Sequence, residues 1–397
     1  MGKINNFEYC VSTRVVFGAD SVDKLPELIS KEERVLITYG KGSIKSSGLY
    51  DRVKALLGSH LVGEFGGICA NPDFDHLMKC VDVVKDIKPT LLLAVGGGSV
   101  LDGTKFIAVA SAWTYTKDPY DILSLCGDAN PDPKCVPSVF CPVASIMTLP
   151  ATGSECNNGG VISCRRLGTK LGFSAAAALP VFSVLDPKLT YTLPRHQIAN
   201  GLADSFVHVM EQYTAHSDCA RLQDEQCEGL LRSIVDVAPS ALECDHPDYH
   251  ARSDYFWCAT QALNGLVGCG VPQCWGTHYI GHELTVQYGL DHGLTLAIVM
   301  PRFLKKLIPQ RKKKLARMAV RVWGISSEGK SEEQLAQEAI DSCEKWFNSL
   351  GLKTTLSGNG CGGEHIDEIA SKFKEFKLGP EKLIGEKEVK EILIESL

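Results

Sequence analysis

Asp204, His208, His278 and His292 are the residues of this chain best suited to hold a metal ion. Asp204 and His208 stand four apart in GLADSFVHVMEQY, so a helix projects them from one face. His278 falls early in THYIGHELTVQYGLDHG, and His292 near its end. One carboxylate and three imidazoles form a ligand set for a divalent transition ion, and Fe(II), Zn(II), Co(II) and Mn(II) all accept it. Four protein ligands leave a position open for a substrate oxygen, where the ion acts as a Lewis acid. His282, four residues after His278, is left over by this count. Two roles fit it: a proton relay to the product oxygen, or a histidine that only orients a ligand.

A second candidate site lies upstream. In LLLAVGGGSVLDGTK an apolar run ends in three glycines and then takes up helical periodicity. Glycines let backbone N–H groups approach a pyrophosphate, and a helix N-terminus adds the positive end of its dipole. The run is not a GxGxxG fingerprint, because the glycine after Gly98 is Gly103. Asp102 reads as a residue of the first helical turn, where it would cap the helix or complement its dipole. TLPATGSECNN, residues 148–158, is another loop dense in small polar groups. YGKGSIKSSGLY, residues 39–50, contains no Asp or Glu. An acid at the end of that strand would bind the ribose 2′-hydroxyl of NAD and repel a 2′-phosphate. Gly40, Gly42, Ser43, Lys41 and Lys45 instead offer room and positive charge for NADPH. A metal and a nicotinamide nucleotide together point to hydride transfer on a small carbonyl or alcohol.

The elements that must carry these groups alternate in the first half. RVLITYG (34–40), LVGEFGG (61–67) and TLLLAVGGG (90–98) read as strands, and SIMTLPA and VFSVLDP as further ones. SGLYDRVKALLGS, FDHLMKCVDVVKDI and SVLDGTKFIAVASAW read as the helices between them. This rhythm predicts an α/β nucleotide-binding domain with a parallel sheet. The boundary falls at 187–193, which gives domains 1–187 and 188–397. The second is expected to be all-helical and to bear the metal, with α-helical periodicity in ADSFVHVMEQYTAH, CEGLLRSIVDVAPSAL and EQLAQEAIDSCEKWFNSLG. The basic stretch KKLIPQRKKKLARMA reads as the solvated face of a helix.

At 397 residues two domains are expected, and a net charge of −6 gives no purchase for nucleic acid or an anionic membrane. No apolar run reaches membrane-spanning length and the N-terminus has no signal-peptide core, so the expectation is a cytoplasmic protein. The 16 cysteines show no CxxC spacing, which argues against a thiolate metal site or a disulfide framework. They read as small buried apolar groups, with Cys156 and Cys274 near enough to the motifs to suggest sensitivity to oxidants. Between 255 and 300 there is no Lys or Arg, which favours a small uncharged substrate over the charged one of a metal-bound lyase.

AVGGGSVLDGTK, TLPATGSE, GLADSFVHVMEQY and THYIGHELTVQYGLDHG, in this order, resemble the iron-dependent (group III) alcohol dehydrogenases. Within them the chain looks most like NADPH-dependent butanol dehydrogenases and broad aldehyde reductases. The resemblance implies an α/β domain followed by an all-helical one, a dehydroquinate synthase-like architecture, with the active site in the cleft between them. It implies Asp204, His208, His278 and His292 as ligands of Fe(II) or Zn(II), and Gly97, Gly98 and Ser99 at the pyrophosphate. Thr148, Leu149, Asn157 and Lys170 would line the rest of the cofactor, with Asn71 on its adenine side. Gly40 stands where NAD-preferring relatives carry Asp. CNNGG after TLPATGSE departs from the family pattern at the Asn157 contact. A homodimer is implied as well. The expected reaction is NADPH-dependent reduction of small aldehydes to primary alcohols, the alternative an NAD-linked dehydrogenase of diols such as propanediol or glycerol.

Overall fold

The runs VLITY, LLLAVG, VASIM and FSVL are buried along their whole length, as strands covered on both faces must be. The structure is a computed structural model that describes residues 4–127, 141–215 and 220–397. The chain forms two compact units, Cys10–Leu193 and Pro194–Leu397, and the stretch ending at Tyr9 belongs to the second. No helix among the described residues is long and apolar enough to cross a membrane.

Among the described residues the first unit holds eight strands: β1 (Arg14–Phe17), β2 (Val35–Tyr39), β3 (Leu61–Phe65), β4 (Leu91–Gly96), β5 (Val143–Met147), β6 (Gly159–Cys164), β7 (Thr169–Ser174) and β8 (Phe182–Leu185). Six form one sheet in the order β1-β8-β5-β4-β2-β3, with every pairing parallel. β6 and β7 form a separate antiparallel hairpin. Its helices are α1 (Leu25–Leu28), α2 (Ser43–Ser46), α3 (Leu49–Leu57), α4 (Phe74–Ile87), α5 (Gly98–Ser111) and α6 (Ile122–Leu125). Val35, Ile37, Leu93, Val95, Ile146 and Val184 form part of one apolar core with Val53 and Leu57 of α3. The chain leaves β2 toward β3 on one side, then leaves β4 toward β5 on the other. The loops after β2 and β4 therefore flank a topological switch point, the place where open parallel sheets bind nucleotides.

The second unit is helical: α7 (Arg195–Tyr213), α8 (Arg221–Ala241), α9 (Tyr249–Ala262), α10 (Gly276–Tyr288), α11 (His292–Lys306), α12 (Ile308–Arg321), α13 (Glu332–Ser349), α14 (Ile366–Ser371) and α15 (Glu386–Glu395). α7 is buried without interruption from Gly201 to Tyr213, which makes it the central helix. Gly289 ends α10 in the left-handed conformation at φ 69°, where a side chain would be strained. Gly281 lets α10 approach α11 closely, since a Cβ there would lie 2.9 Å from Thr295 Oγ1.

Two expectations change. Residues 4–9, expected with the α/β half, pack with the helical unit. The Asn5 N–H donates to the Gly270 carbonyl at 2.9 Å, and Gly270 has no side chain to hold Ile4 away. The basic stretch is not a solvated face throughout. Arg311 and Lys314 of α12 are buried, Arg311 on Glu381 and Lys314 on Asp224 of α8 at 2.6 Å. Arg317 and Arg321, both partly exposed, reach the buried Glu228 of α8.

Candidate functional site

In the α/β unit the register aligns the C-terminal ends of the central strands. Tyr39 pairs with Val95, and Gly96 with Met147, so Gly40, Gly97 and Thr148 leave the sheet along one edge. Gly97 caps α5 and Gly98 is its first residue. A Cβ on Gly98 would lie 2.4 Å from Thr152 Oγ1, so the loop 148–158 presses directly on the start of α5. Ser99 Oγ accepts from the Asn71 N–H at 3.3 Å, and Asn71 adopts the left-handed conformation at φ 55°, one that Asn tolerates. Gly42 and Ser43 begin the short α2. Lys45 is not simply available to an anion, because its ammonium lies 4.8 Å from the Tyr39 ring centre and 4.7 Å from that of Tyr50.

Lys105 has no role among the expectations from sequence, and its signal there is a lysine inside the apolar helix GTKFIAVA. It is fully buried, and its Nζ donates to Ser154 O (2.7 Å) and Oγ (2.8 Å), Asn157 O (2.9 Å) and Oδ1 (3.1 Å), and Gly159 O (2.8 Å). Burial pulls its pKa down to about 8, against the opposing pull of Asp102 and Glu155. Asp102 does not cap α5. It lies beyond the first turn and accepts from Ser154 Oγ at 2.7 Å and the Val161 N–H at 3.0 Å. Together these two residues tie the loop and the β6–β7 hairpin to α5. Asn157 spends its Oδ1 on Lys105 and on the Gly159 N–H, while Lys170 lies buried on β7.

In the helical unit Asp204 and His208 extend from α7, His278 and His282 from α10, and His292 from the first turn of α11. Asp204 Oδ1 lies 3.4 Å from His208 Nε2, 3.6 Å from His278 Nε2 and 3.6 Å from His292 Nε2. Two atoms each about 2.1 Å from one tetrahedral ion stand roughly 3.4 Å apart, so these spacings suit a shared cation. The ligand atoms of Asp204, His208 and His278 all lie within 4.8 Å of one another. His278 Nε2 is buried and has no hydrogen-bond partner among the described residues, as a nitrogen awaiting an ion would be. The donor set and this nitrogen both fit a divalent metal. His282 is buried too, with its ring centre 5.2 Å from that of His292 and 6.3 Å from that of His278.

The sequence reading missed Glu211. Its Oε2 accepts from His278 Nδ1, and its Oε1 accepts from the Thr277 N–H at 2.6 Å. Burial opposes a charge on His278, yet the Glu211 and Asp204 carboxylates outweigh it and lift its pKa to about 9. Trp275 stands edge-on to His278 with ring centres 5.3 Å apart. Cys156 and Cys274 are buried, and burial pushes the Cys156 thiol up to about 12 and the Cys274 thiol up as well. Sparse thiolate makes them poor targets for oxidants, contrary to the expectation from their position.

Residues 12–187 match the family described as "Iron-containing alcohol dehydrogenase", and residues 198–397 match "Fe-containing alcohol dehydrogenase family, C-terminal". The chain is 46% identical over 372 residues, 94% of each chain, to the NADPH-dependent aldehyde reductase YqhD of Escherichia coli. A crystal structure of that protein superposes over the full length of both chains with a TM-score of 0.94 at 42% identity. NADP-dependent alcohol dehydrogenase 3 of Entamoeba histolytica is 40% identical over 98% of each chain. The structure of NADH-dependent butanol dehydrogenase A from Thermotoga maritima covers both chains completely, with a TM-score of 0.91 at 31% identity. Two family matches that together span nearly the whole chain, with relatives this similar end to end, establish that it belongs to the iron-containing alcohol dehydrogenase family.

Proposed function

We propose that this protein reduces small aldehydes to primary alcohols, and reverses that reaction, using NADPH and one divalent ion, Fe(II) or Zn(II). The observation that carries the cofactor choice is Gly40 at the switch point, beside the glycine start of α5, with no acid in the loop after β2 to meet a ribose 2′-hydroxyl. Relatives named for NADPH or NADP stand at 46% and 40% identity, and those named as NADH-dependent butanol dehydrogenases at 32–36%.

In this reading Gly97, Gly98 and Ser99 bind the pyrophosphate through the start of α5. Gly40, Gly42 and Ser43 make room for the 2′-phosphate, and Asn71 lies toward the adenine. Thr148, Leu149, Asn157 and Lys170 line the remainder, on a loop and hairpin held by Lys105 and Asp102. Asp204, His208, His278 and His292 hold the ion. The ion supplies Lewis acidity toward the carbonyl oxygen and NADPH supplies the hydride. His282, beside His292, passes a proton toward the product oxygen through its imidazole. The absence of Lys and Arg from 255 to 300 leaves this part of the chain without a charge for an anionic substrate, which supports small apolar aldehydes. A homodimer in a reducing, cytoplasmic compartment completes the reading. The homodimer rests on the family resemblance and the compartment on 16 cysteines without paired spacing.

The test is oxidation of NADPH and NADH with butyraldehyde, using protein reconstituted anaerobically with Fe(II) or Zn(II). Turnover with NADPH, weak turnover with NADH and none after chelation is expected. Turnover with NADH alone would fit a diol dehydrogenase instead. No oxidation of either cofactor by metallated protein would overturn the reaction.

A further inference from the structure

Glu211 lies seven residues after Asp204 and three after His208, so all three share one face of α7. It is 4% exposed, and both carboxylate oxygens are committed to α10. Oε2 accepts from His278 Nδ1, and Oε1 accepts from the N–H of Thr277, the second residue of α10. Its backbone carbonyl accepts from the Cys274 N–H at 2.9 Å. The first N–H groups of a helix have no partner inside it, and Trp275 at the cap position offers no side-chain acceptor. A carboxylate from α7 takes one of those donors and places negative charge at the positive end of the α10 dipole.

We infer that Glu211 is the positioning residue of the metal centre, one carboxylate that fixes the start of α10 and the tautomer of the metal-facing His278. This rests on the reading of Asp204, His208, His278 and His292 as metal ligands. A carboxylate only accepts, so the His278 ring must carry its hydrogen on Nδ1. In the neutral ring, the form that binds an ion, Nε2 then holds the lone pair, and it faces Asp204 Oδ1 at 3.6 Å. The bond to Oε2 also stops the ring from turning, so Nε2 is aimed before any ion arrives.

Glu211→Gln separates these roles from simple space filling. The amide oxygen can still accept from Thr277, but the amide nitrogen then faces Nδ1 and donates to it. The ring must move its hydrogen to Nε2, the position that has to bind the ion. The measurement is the Zn(II) dissociation constant of the full-length protein, by competition with a chromophoric chelator, alongside the Tm of the metal-free protein. The expected result is binding weakened about 10–100-fold, the usual effect of losing such a partner of a ligating histidine. An unchanged dissociation constant would overturn the inference, whatever happens to Tm. If Glu211→Gln does not fold, Glu211→Asp keeps the charge on a shorter arm. Weaker Zn(II) binding by that variant supports the inference, and parental affinity overturns it. Asp204→Ala in the same titration separates the two readings. If the parent protein binds Zn(II) and Asp204→Ala does not, a normal affinity in Glu211→Gln sinks the role of Glu211 alone. If the parent protein binds no ion, the metal centre fails and Glu211 with it.

Discussion

Gly293 lies directly against the backbone of Asn200: a Cβ at Gly293 would stand 2.2 Å from the Asn200 carbonyl oxygen. Asn200 is one turn before Asp204 on α7, and Gly293 follows His292 at the start of α11. This contact between helices brings His292 Nε2 to 3.6 Å from Asp204. The obstacle is main chain, which cannot rotate aside as a side chain can.

Gly293→Ala should therefore push α11 from α7. The cost expected for such overpacking is about 1–3 kcal/mol. Bound Zn(II) per chain should fall with it, because His292 moves away from Asp204. Calorimetry with metal analysis checks this, and a variant with parental Tm and full metal content would refute it.

Asp204→Ala removes the oxygen that stands between three imidazoles. Metal content and aldehyde reduction should fall together, activity by at least about 100-fold, as when a Lewis-acid site is emptied. Elemental analysis beside turnover decides the matter, and an active variant that kept its metal would show that the ligand set is wrong. In the parent protein, chelation should abolish turnover and added Fe(II) or Zn(II) should restore it.

Gly40→Asp tests the cofactor reading. A Cβ at Gly40 would lie 3.4 Å from Ile68 O and 3.7 Å from Val100 Cγ2, and the backbone there is not left-handed, so the site tolerates a side chain. A carboxylate near a 2′-phosphate repels it, by several kcal/mol at about 4 Å in a partly screened site. KM for NADPH should rise at least about tenfold while KM for NADH falls or holds. Equal effects on both cofactors would place the 2′-phosphate elsewhere.

Glu228 sets a pH limit on the helical unit. Burial raises its pKa, but Arg317, Arg321 and Tyr213 outweigh that and hold it below the usual carboxylate range. A depressed carboxylate stabilises the fold at pH above its unfolded value of about 4.3, and that stability is lost as pH falls through the folded pKa. The loss belongs to the window below about pH 4. Glu228→Gln should cost about 2 kcal/mol at pH 7, for the charge-assisted hydrogen bonds removed, and should flatten the acid limb. Urea midpoints from pH 7 to 3 test this; an acid limb as steep as the parent's would contradict it.

The sequence was most legible where one period or one spacing sufficed. The buried strands VLITY and LLLAVG stand within a residue or two of where their apolar runs place them. The four-residue spacing of Asp204 and His208 places both on one side of α7, with their ligand atoms within 4.8 Å of each other and of that of His278. What stayed hidden depends on partners far along the chain. The face carrying Asp204 and His208 also carries Glu211, but only folding sets it beside Thr277 and His278. Asp102 reads as a cap because its partners Ser154 and Val161 come from a distant loop and hairpin. Arg311 and Lys314 read as solvated because nothing local reveals Glu381 and Asp224.

The attachment of Asn5 to Gly270 also bears on the order of folding. These two residues are separated by about 265 positions, so joining them closes a very long loop, with an entropy cost that grows only slowly with length. During synthesis Asn5 must wait until Gly270, between α9 and α10, has been made before it finds its partner. The α/β unit can form as a contiguous segment while translation continues, whereas the helical unit is completed only when residues 4–9 return to it.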